Sequence, residues 1–414
     1  MLSESLELVD ATRVGCADRI GMARLAKMAF DGWDLRPLCR ELTAKLLDGT
    51  AAAGEGLDLS LIAQLLGDKE TGLAVQQEIL ASHQLFRSPC AANNPRLRVL
   101  ALAAATDMGS NTPIEFLLEE SSVELMVLYV VPEAGLPAPL PNHDVAIVIA
   151  SDSEDCRDAL RVIDQVVPRW PRPLLNPPRL VCNLDRDKLC HLLHGIDGLE
   201  IPATIPVTRA QLSQPPASAG AEAGIGAFPI IVRPRGSHAG VGLARIDDRE
   251  AMARYLDLHP QEEFFVSRFV DYSSDDGLFR KYRVVFVEGE PYACHMAIAD
   301  RWDIWYLNAG MSADAGKRLE EETFMRIFDI GFARRHHAAL AGMAGRIGLD
   351  YFTVDCAETK SGALLIFEAD NTAVVHNMDS PQVFPYKPPQ MRKIFDAFVA
   401  MLERRVRHGQ EQAA

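Results

Sequence analysis

The chain has 414 residues, of which 48% are hydrophobic and 24% are charged, and its formal net charge is −15. This length allows two or three domains with cores of their own, and the composition is that of a globular protein. Such an acidic balance argues against sequence-independent binding to nucleic acid and against docking on anionic membranes.

The N-terminal residues and the cysteines indicate a reducing compartment. Residues 1–7 are acidic and lack the basic and apolar regions of a signal peptide. The longest aliphatic run, residues 123–131, is too short to span a bilayer. The eight cysteines are scattered, without the paired spacing of a zinc site. We therefore expect a cytoplasmic protein without a membrane segment.

Residues 1–118 are predicted to form an all-α region. Ala/Leu-rich stretches at 20–28 and 73–80 carry apolar residues at helical spacing, and the glycines within 51–56 are expected to separate helices. Nothing in this region demands chemistry. It is expected to bind a protein partner or substrate, or to form a homodimer.

The pattern changes after residue 118. Residues 119–180 are predicted to form a βα unit, because 123–131 and 145–150 are continuous apolar runs typical of buried parallel strands. An amphipathic helix at 152–167 and a proline-rich connector at 168–178 follow. From 181 to 410 strands alternate with helices, apart from a loose Pro/Ala/Gly-rich stretch at 214–226. The overall fold class is α/β.

Three carboxylates lie on a predicted hairpin near the C-terminus. Its arms are 351–358 and 363–370, and Ser361-Gly362 is predicted as a two-residue turn with Lys360 facing Ala363. This register places Asp355 opposite Glu368, with Asp370 on the same face. Like charges that face each other destabilise a sheet, so these acids are either solvated or neutralised by a hard divalent cation.

A glycine-rich segment follows the strand predicted at 228–233. Gly236, Gly240 and Gly242 would allow close approach of the backbone to a phosphate, with Ser237 and His238 between them. The segment lacks the Gly-Lys-Ser/Thr of a Walker A loop and the spacing of a dinucleotide fingerprint. It is therefore either a hairpin turn or a phosphate-binding loop.

Several cations are candidates for binding an anion. Arg233 ends the strand before the glycine-rich segment, where its guanidinium could hold phosphate oxygens in a bidentate manner. Lys188 lies in the first turn of a predicted helix, which is unfavourable unless an anion is near. Lys281 and Arg283 share one face of a strand predicted at 280–287. For these last three residues, solvation or an ordinary salt bridge is the alternative.

Taken in chain order, these features resemble the ATP-grasp superfamily over residues 120–405. The resemblance implies an α+β ATP-grasp fold at 181–410, with a nucleotide-clamping part at 181–270 and a metal-binding, catalytic part at 271–410. The chain departs from the family pattern at three places. It has Arg233 where lysine is usual, Ser267-Arg268 where Gln-Glu is frequent, and Lys281 where an acid is usual.

The resemblance also implies roles for individual residues. Arg283 would be catalytic, and two Mg²⁺ ions, or Mn²⁺ in their place, would be bound by Asp355, Glu368 and Asp370, with Asn371 as an alternative ligand. ATP would be bound by residues of the helix start, the glycine-rich loop, the hinge strand and the central strand, namely Lys188, Arg233, Gly236, Ser237, His238, Gly240, Gly242, Arg268, Phe269, Val270 and Lys281.

The activity implied by the resemblance is that of an ATP-dependent carboxylate–amine ligase. Such an enzyme activates a small-molecule or peptide carboxylate as an acyl phosphate, joins it to an amine acceptor and releases ADP and phosphate. The alternatives are a kinase that stops at phosphoryl transfer and a non-catalytic ATP-binding module recruited through the N-terminal helices.

Overall fold

A computed structural model describes residues 6–213, 228–237 and 240–413. The chain divides into two compact units. The first contains residues 1–182, 349–352 and 370–414, and the second contains 183–348 and 353–369. The boundary predicted between the all-α region and the βα unit, after residue 118, thus falls inside the first unit. The second unit begins at residue 183, close to residue 181, where the ATP-grasp fold is predicted to start. The loose stretch predicted at 214–226 lies outside the described residues.

Up to residue 182 the described strands are β1 (Leu8–Val9), β2 (Ala17–Asp18), β3 (Leu85–Arg87), β4 (Leu97–Ala104), β5 (Val123–Val130), β6 (Leu140–Pro141), β7 (Val145–Val148) and β8 (Leu174–Leu175). The described helices of this part are α1 (Met22–Phe30), α2 (Arg36–Leu47), α3 (Ala53–Leu65), α4 (Lys69–Leu80), α5 (Ile114–Leu117), α6 (Arg157–Val166) and α7 (Pro178–Val181).

Beyond residue 182 the described strands are β9 (Leu199–Glu200), β10 (Thr204–Thr208), β11 (Ile230–Pro234), β12 (Ala244–Ile246), β13 (Glu263–Arg268), β14 (Phe279–Val287), β15 (Glu290–Ala299), β16 (Tyr351–Glu358) and β17 (Leu364–Asp370). The described helices are α8 (Arg186–Leu193), α9 (Arg209–Leu212), α10 (Arg249–Leu258), α11 (Ala315–Arg326), α12 (Phe332–Arg335), α13 (His337–Ile347) and α14 (Lys387–Ala413).

The first unit contains a six-stranded sheet in the order β2-β3-β5-β4-β7-β8. Strand β4 is parallel to both β5 and β7, and all its residues except Arg98 are buried. This strand corrects the all-α prediction for residues 1–118. Its sequence, LRVLALAA, consists largely of good helix formers, but burial on both faces of a parallel sheet overrides that preference.

The glycine-rich stretch at 51–56, predicted to separate helices, does so only in part. The break between α2 and α3 covers residues 48–52, and α3 begins at Ala53 and contains both Gly54 and Gly56. A Cβ atom on Gly54 would lie 1.9 Å from the carbonyl oxygen of Asp18. Glycine is therefore needed inside this helix for close packing against the backbone that follows β2.

The second unit contains an antiparallel sheet in the order β10-β13-β11-β12. Helix α10 packs on it through Met252, Tyr255 and Leu256, which join the buried core of Val232 and Phe264. The strand predicted at 228–233 corresponds to β11, and the hinge strand corresponds to β13. The glycine-rich segment connects β11 to β12 and therefore lies at one end of this sheet.

A second sheet has the order β15-β14-β16-β17-β9. Strands β14 and β15 pair as an antiparallel hairpin, and Glu288 and Gly289 between them both have positive φ, as a two-residue type I′ turn requires. The arms predicted at 351–358 and 363–370 are confirmed as β16 and β17.

Helices α12 and α13 are separated at His336, whose φ of −100° and ψ of 19° depart from helical values. The His336 Nε2 atom lies 2.8 Å from the Glu358 carboxylate at the end of β16. Among the described residues, no helix combines the length and apolar character needed to cross a bilayer.

Candidate functional site

Two cations of strand β14 converge on one carboxylate of strand β16. Arg283 donates to both oxygens of Asp355, through Nε to Oδ1 at 2.8 Å and through Nη2 to Oδ2 at 3.1 Å. The Lys281 Nζ atom lies 2.8 Å from the same Oδ2. Residues two apart on a strand point to the same face, which is why both cations reach Asp355. The shared face predicted for Lys281 and Arg283 is thus confirmed.

The Asp355 carboxyl is buried, with 3% of its side chain exposed. Burial alone would favour its neutral form, but Arg283 and Lys281 outweigh that effect and hold its pKa well below the usual range. The pKa of Arg283 is correspondingly raised by Asp355, against the opposing effect of its own burial. This carboxylate is therefore ionised near neutral pH and has two cationic partners.

Glu368, on strand β17, has a cationic partner of its own. Arg186 at the start of α8 donates through Nη2 to Glu368 Oε2 at 2.5 Å. Burial raises the pKa of Glu368, but Arg186 outweighs it and brings the pKa to about 2, with Asp355 opposing and Lys281 assisting. Asp355 and Glu368 are thus close enough to influence each other's ionisation.

The turn between β16 and β17 differs from the predicted one. Thr359 N donates to Ala363 O at 2.9 Å, and Gly362 N donates to Thr359 O at 2.9 Å. Thr359 instead of Lys360 therefore faces Ala363, and the loop has three residues ending in Gly362, whose φ is +83°. The prediction of a two-residue Ser361-Gly362 turn is wrong by one position.

Arg186 is a site residue that the sequence reasoning missed. Asp185 is the N-cap of α8 and accepts a hydrogen bond from the Arg186 amide at 2.9 Å. Lys188 lies one half-turn further along and is exposed. The dipole argument applied to Lys188 applies more strongly to Arg186, which stands at the first helical position.

Arg233 lies near the end of β11, where its residue is 8% exposed. Its Nε donates to Ser237 Oγ at 3.1 Å, and its Nη2 donates to the Ser237 carbonyl. Burial first, and then the charge of Arg186, lower the pKa of Arg233 to about 10, while Glu368 opposes them. Arg186 and Arg233 therefore repel each other, and an anion between them would relieve that repulsion.

The described glycines of the loop adopt the conformation expected of them. Gly236, Gly240 and Gly242 have φ values of +73°, +75° and +66°. A Cβ atom on Gly242 would lie 2.6 Å from Pro234 Cδ, so this position has no room for a larger residue. His238 lies outside the described residues.

The hinge residues have partners within the second unit. Arg268 is exposed and pairs with Glu200. The Arg245 guanidinium lies 4.3 Å from the centroid of the Phe269 ring, and Val270 packs beside Tyr272 and its neighbours. These contacts fix the side chains of 268–270, and a role of their backbone in binding adenine stays a prediction.

Asp370 and Asn371 belong to the first unit. Asp370 Oδ1 accepts hydrogen bonds from Thr372 N at 2.6 Å and from Thr372 Oγ1 at 2.8 Å. Asn371 is fully buried, and its Nδ2 donates to the Ala150 carbonyl at 2.9 Å. Its Oδ1 has no hydrogen-bond partner among the described residues. The amide nitrogen of Asn371 is thus committed to the fold, whereas the role of its amide oxygen as a metal ligand stays a prediction.

The donor set of the second unit fits a hard cation only in part. Asp355 and Glu368 supply oxygen ligands of the kind Mg²⁺ prefers, but both already accept from cationic side chains. Among the described residues no group of three or more His, Cys, Asp or Glu side chains is arranged to hold a metal ion. Four cations, Arg186, Arg233, Lys281 and Arg283, accompany two carboxylates, so the cluster has a formal surplus of two positive charges and suits a polyanion.

No protein-family model matches the sequence, and no curated protein matches it. Solved structures of ATP-grasp proteins do show similarity. A RimK domain protein from Sphaerobacter thermophilus is 16% identical with a TM-score of 0.42, and covers 75% of this chain and 99% of its own. The VanG D-Ala:D-Ser ligase from Enterococcus faecalis is 12% identical with a TM-score of 0.45, covering 74% of this chain and 100% of its own.

A D-alanine–D-alanine ligase from Bacillus anthracis, solved with ATP, is 13% identical with a TM-score of 0.44, and covers 75% of this chain and 99% of its own.

Proposed function

We propose that this chain is an ATP-grasp enzyme that uses ATP and Mg²⁺ to join a carboxylate to an amine, with release of ADP and phosphate. The observation that carries the proposal is the cluster of four cations and two carboxylates in the second unit, beside a glycine-rich connection. Its surplus positive charge suits a bound triphosphate, and its carboxylates supply oxygen ligands for Mg²⁺.

The residues divide into groups by the part of the reaction they would serve. Arg186 and Arg233 would hold the terminal phosphates, with Lys188, Lys281 and the described glycine-rich residues in support. Asp355 and Glu368, with Asp370 and Asn371 as further candidates, would hold Mg²⁺. The bound metal would offset phosphate charge and fix the phosphate geometry. The segment 268–270 would contact the adenine.

The proposed chemistry has two steps. A carboxylate oxygen of the substrate attacks the γ-phosphorus of ATP, the bond to the β-phosphate oxygen breaks, and ADP leaves with that electron pair. The amine nitrogen then attacks the acyl carbon, the bond to the phosphate oxygen breaks, and the amine loses a proton as the amide forms. Arg283 is the group we assign to the negative charge on the acyl oxygen in the second step.

Positioning and charge stabilisation suffice for this chemistry, so a nucleophilic triad is not required. The bidentate contact between Arg283 and Asp355 supports the assignment, because it fixes the plane of the guanidinium. A residue that must stabilise charge in a transition state benefits from being oriented in advance.

Hydroxylamine distinguishes this ligase from a kinase. An acyl phosphate reacts with hydroxylamine to give a hydroxamate, whereas a phosphorylated hydroxyl group does not. The purified chain would be screened with ATP, Mg²⁺ and a panel of small carboxylates and peptides, with ADP release and hydroxamate formation measured in parallel. We expect both products from the same substrate.

ADP release without a hydroxamate would favour the kinase, and ATP binding without turnover on any substrate would favour a non-catalytic module. The substrates would be a small-molecule or peptide carboxylate and an amine acceptor, and the reaction would take place in the cytoplasm. We keep the N-terminal helices as the proposed surface for a protein partner or a homodimer.

A further inference from the structure

The charge balance of strand β14 is uneven between two neighbouring residues. Arg280 is matched by two carboxylates, since it donates to Asp276 at 2.8 Å and also to Glu320. Lys281 and Arg283, in contrast, both contact the carboxylate of Asp355, and Glu368 is a further acid close enough to act on both. The one negative charge of Asp355 therefore faces two positive charges.

The position of Lys281 is fixed by its surroundings. Its side chain is 19% exposed, and its Nζ lies 5.9 Å from the centroid of the Phe367 ring as well as 2.8 Å from Asp355 Oδ2. Before substrates bind, the anion beside this ammonium is Asp355, and a bound phosphate would be a second one.

The Lys281 ammonium limits the number of metal ions that the cluster can bind. A divalent cation that shares Asp355 would lie close to the Lys281 ammonium, and like charges at such short range repel strongly away from water. Mg²⁺ in proteins is usually held by one or two carboxylates together with phosphate oxygens and water. Asp355 and Glu368, the two carboxylates of the cluster, are thus enough for one ion.

We propose that the Lys281 ammonium supplies the positive charge that a second Mg²⁺ would otherwise supply, so that the nucleotide complex of this chain takes one divalent cation. This inference rests on the proposed function, because it presupposes a nucleotide at the cluster. It replaces the two metal ions that the resemblance implies with one ion and one lysine.

The number of bound ions can be counted directly. The full chain would be mixed with AMPPNP and increasing Mn²⁺, the protein-bound fraction retained by ultrafiltration, and the plateau ratio of Mn²⁺ to AMPPNP measured in it. We expect one Mn²⁺ per retained nucleotide for the unmodified chain. Lys281→Glu, which removes the ammonium and adds a carboxylate, should double the ratio, whereas Lys281→Arg should leave it at one.

Lys360→Ala is the matched control, because Lys360 is an exposed lysine of the same unit, paired with Asp271 at 2.5 Å, outside the cluster. It should retain one Mn²⁺. A ratio of two in the unmodified chain overturns the inference, as does a folded Lys281→Glu variant that stays at one. If Lys281→Glu does not fold, the ratio in the unmodified chain decides.

The proposed function fails in a distinguishable way. If no AMPPNP is retained by the chain at any Mn²⁺ concentration, the nucleotide site itself is refuted, and the inference about the number of bound metal ions is refuted as well. If AMPPNP is retained with two Mn²⁺ ions, the nucleotide site stands and only the role of Lys281 is refuted.

Discussion

Each unit contains a buried group of arginine and carboxylate side chains, and the two groups are built differently. In the first unit Arg19 pairs with Glu115, whose oxygens also accept from Ala23 N at 2.8 Å and Ser88 Oγ at 2.7 Å. The neighbouring Asp58 accepts from two backbone amides, those of Ile20 at 2.6 Å and Gly21 at 3.1 Å.

In the second unit the hydrogen bonds described for the carboxylate oxygens of Asp355 and Glu368 come from Lys281, Arg283 and Arg186. The group of the first unit has more acids than bases, and backbone amides hold it in place. The group of the second unit has more bases than acids, and side chains hold it.

The difference separates a structural ion pair from a binding site. Backbone amides cannot leave a carboxylate without unfolding the segment that carries them, so the group around Glu115 belongs to the fold. Lysine and arginine side chains can exchange a carboxylate for a phosphate by a rotation, and surplus positive charge favours that exchange. On this comparison, changes in the second unit should affect turnover, and changes in the first should affect stability.

Glu368→Gln should have the largest effect. The change removes a negative charge beside Arg186 and one of the two oxygen ligand groups proposed for Mg²⁺. Loss of several kcal/mol of charge stabilisation predicts a fall in ADP release of at least about a thousandfold. ADP release would be measured by a coupled assay on a substrate found in the screen.

Glu322→Gln is a suitable control, because Glu322 lies on α11 in the same unit and pairs only with Arg326 one turn away among the described contacts. It should keep full activity. Unchanged ADP release by Glu368→Gln would contradict the assignment of the metal carboxylates.

Arg283→Ala should retain nucleotide binding and lose product formation. Removal of one preorganised donor to a developing oxyanion typically costs about a hundredfold to a thousandfold in kcat. AMPPNP binding by calorimetry and amide formation by mass spectrometry would be compared in the same preparation. Product formation at the original rate would exclude Arg283 from the transition state.

The site was predictable from the sequence where strand periodicity decides it. Lys281 and Arg283 share a face because they are two residues apart, and Glu368 lies near Asp355 even though the turn is shifted by one position. The shift has a local cause. A glycine with positive φ serves equally as the second residue of a two-residue turn and as the last residue of a three-residue one, so Ser361-Gly362 does not distinguish them.

The fold was less predictable where tertiary burial competes with local preference. The alanines and leucines of β4 favour a helix, and only the flanking parallel strands make that segment a strand. Arg186 was missed for another reason. Its partner Glu368 is 182 residues away in the sequence, so no local pattern distinguishes this arginine from a solvated residue at a helix start.

Glu115→Gln tests the other side of the comparison. The change removes the carboxylate that pairs with the buried Arg19, which should destabilise the fold by about 3 kcal/mol near neutral pH, while ADP release per folded molecule stays unchanged. Burial raises the pKa of Glu115, but Arg19 and the amide of Ala23 outweigh it and lower the pKa below 4.5. Its stabilising contribution is therefore present above pH 4.5 and is lost as the pH falls through the lower folded-state pKa.

Urea denaturation at a series of pH values would measure this contribution. The difference in unfolding free energy between the unmodified chain and Glu115→Gln should be greatest above pH 4.5 and should shrink as the pH falls. Glu78→Gln, at an exposed position of α4, should show little difference at any pH. A Glu115→Gln variant of unchanged stability but reduced turnover would reverse the comparison, because the group around Arg19 would then serve the reaction instead of the fold.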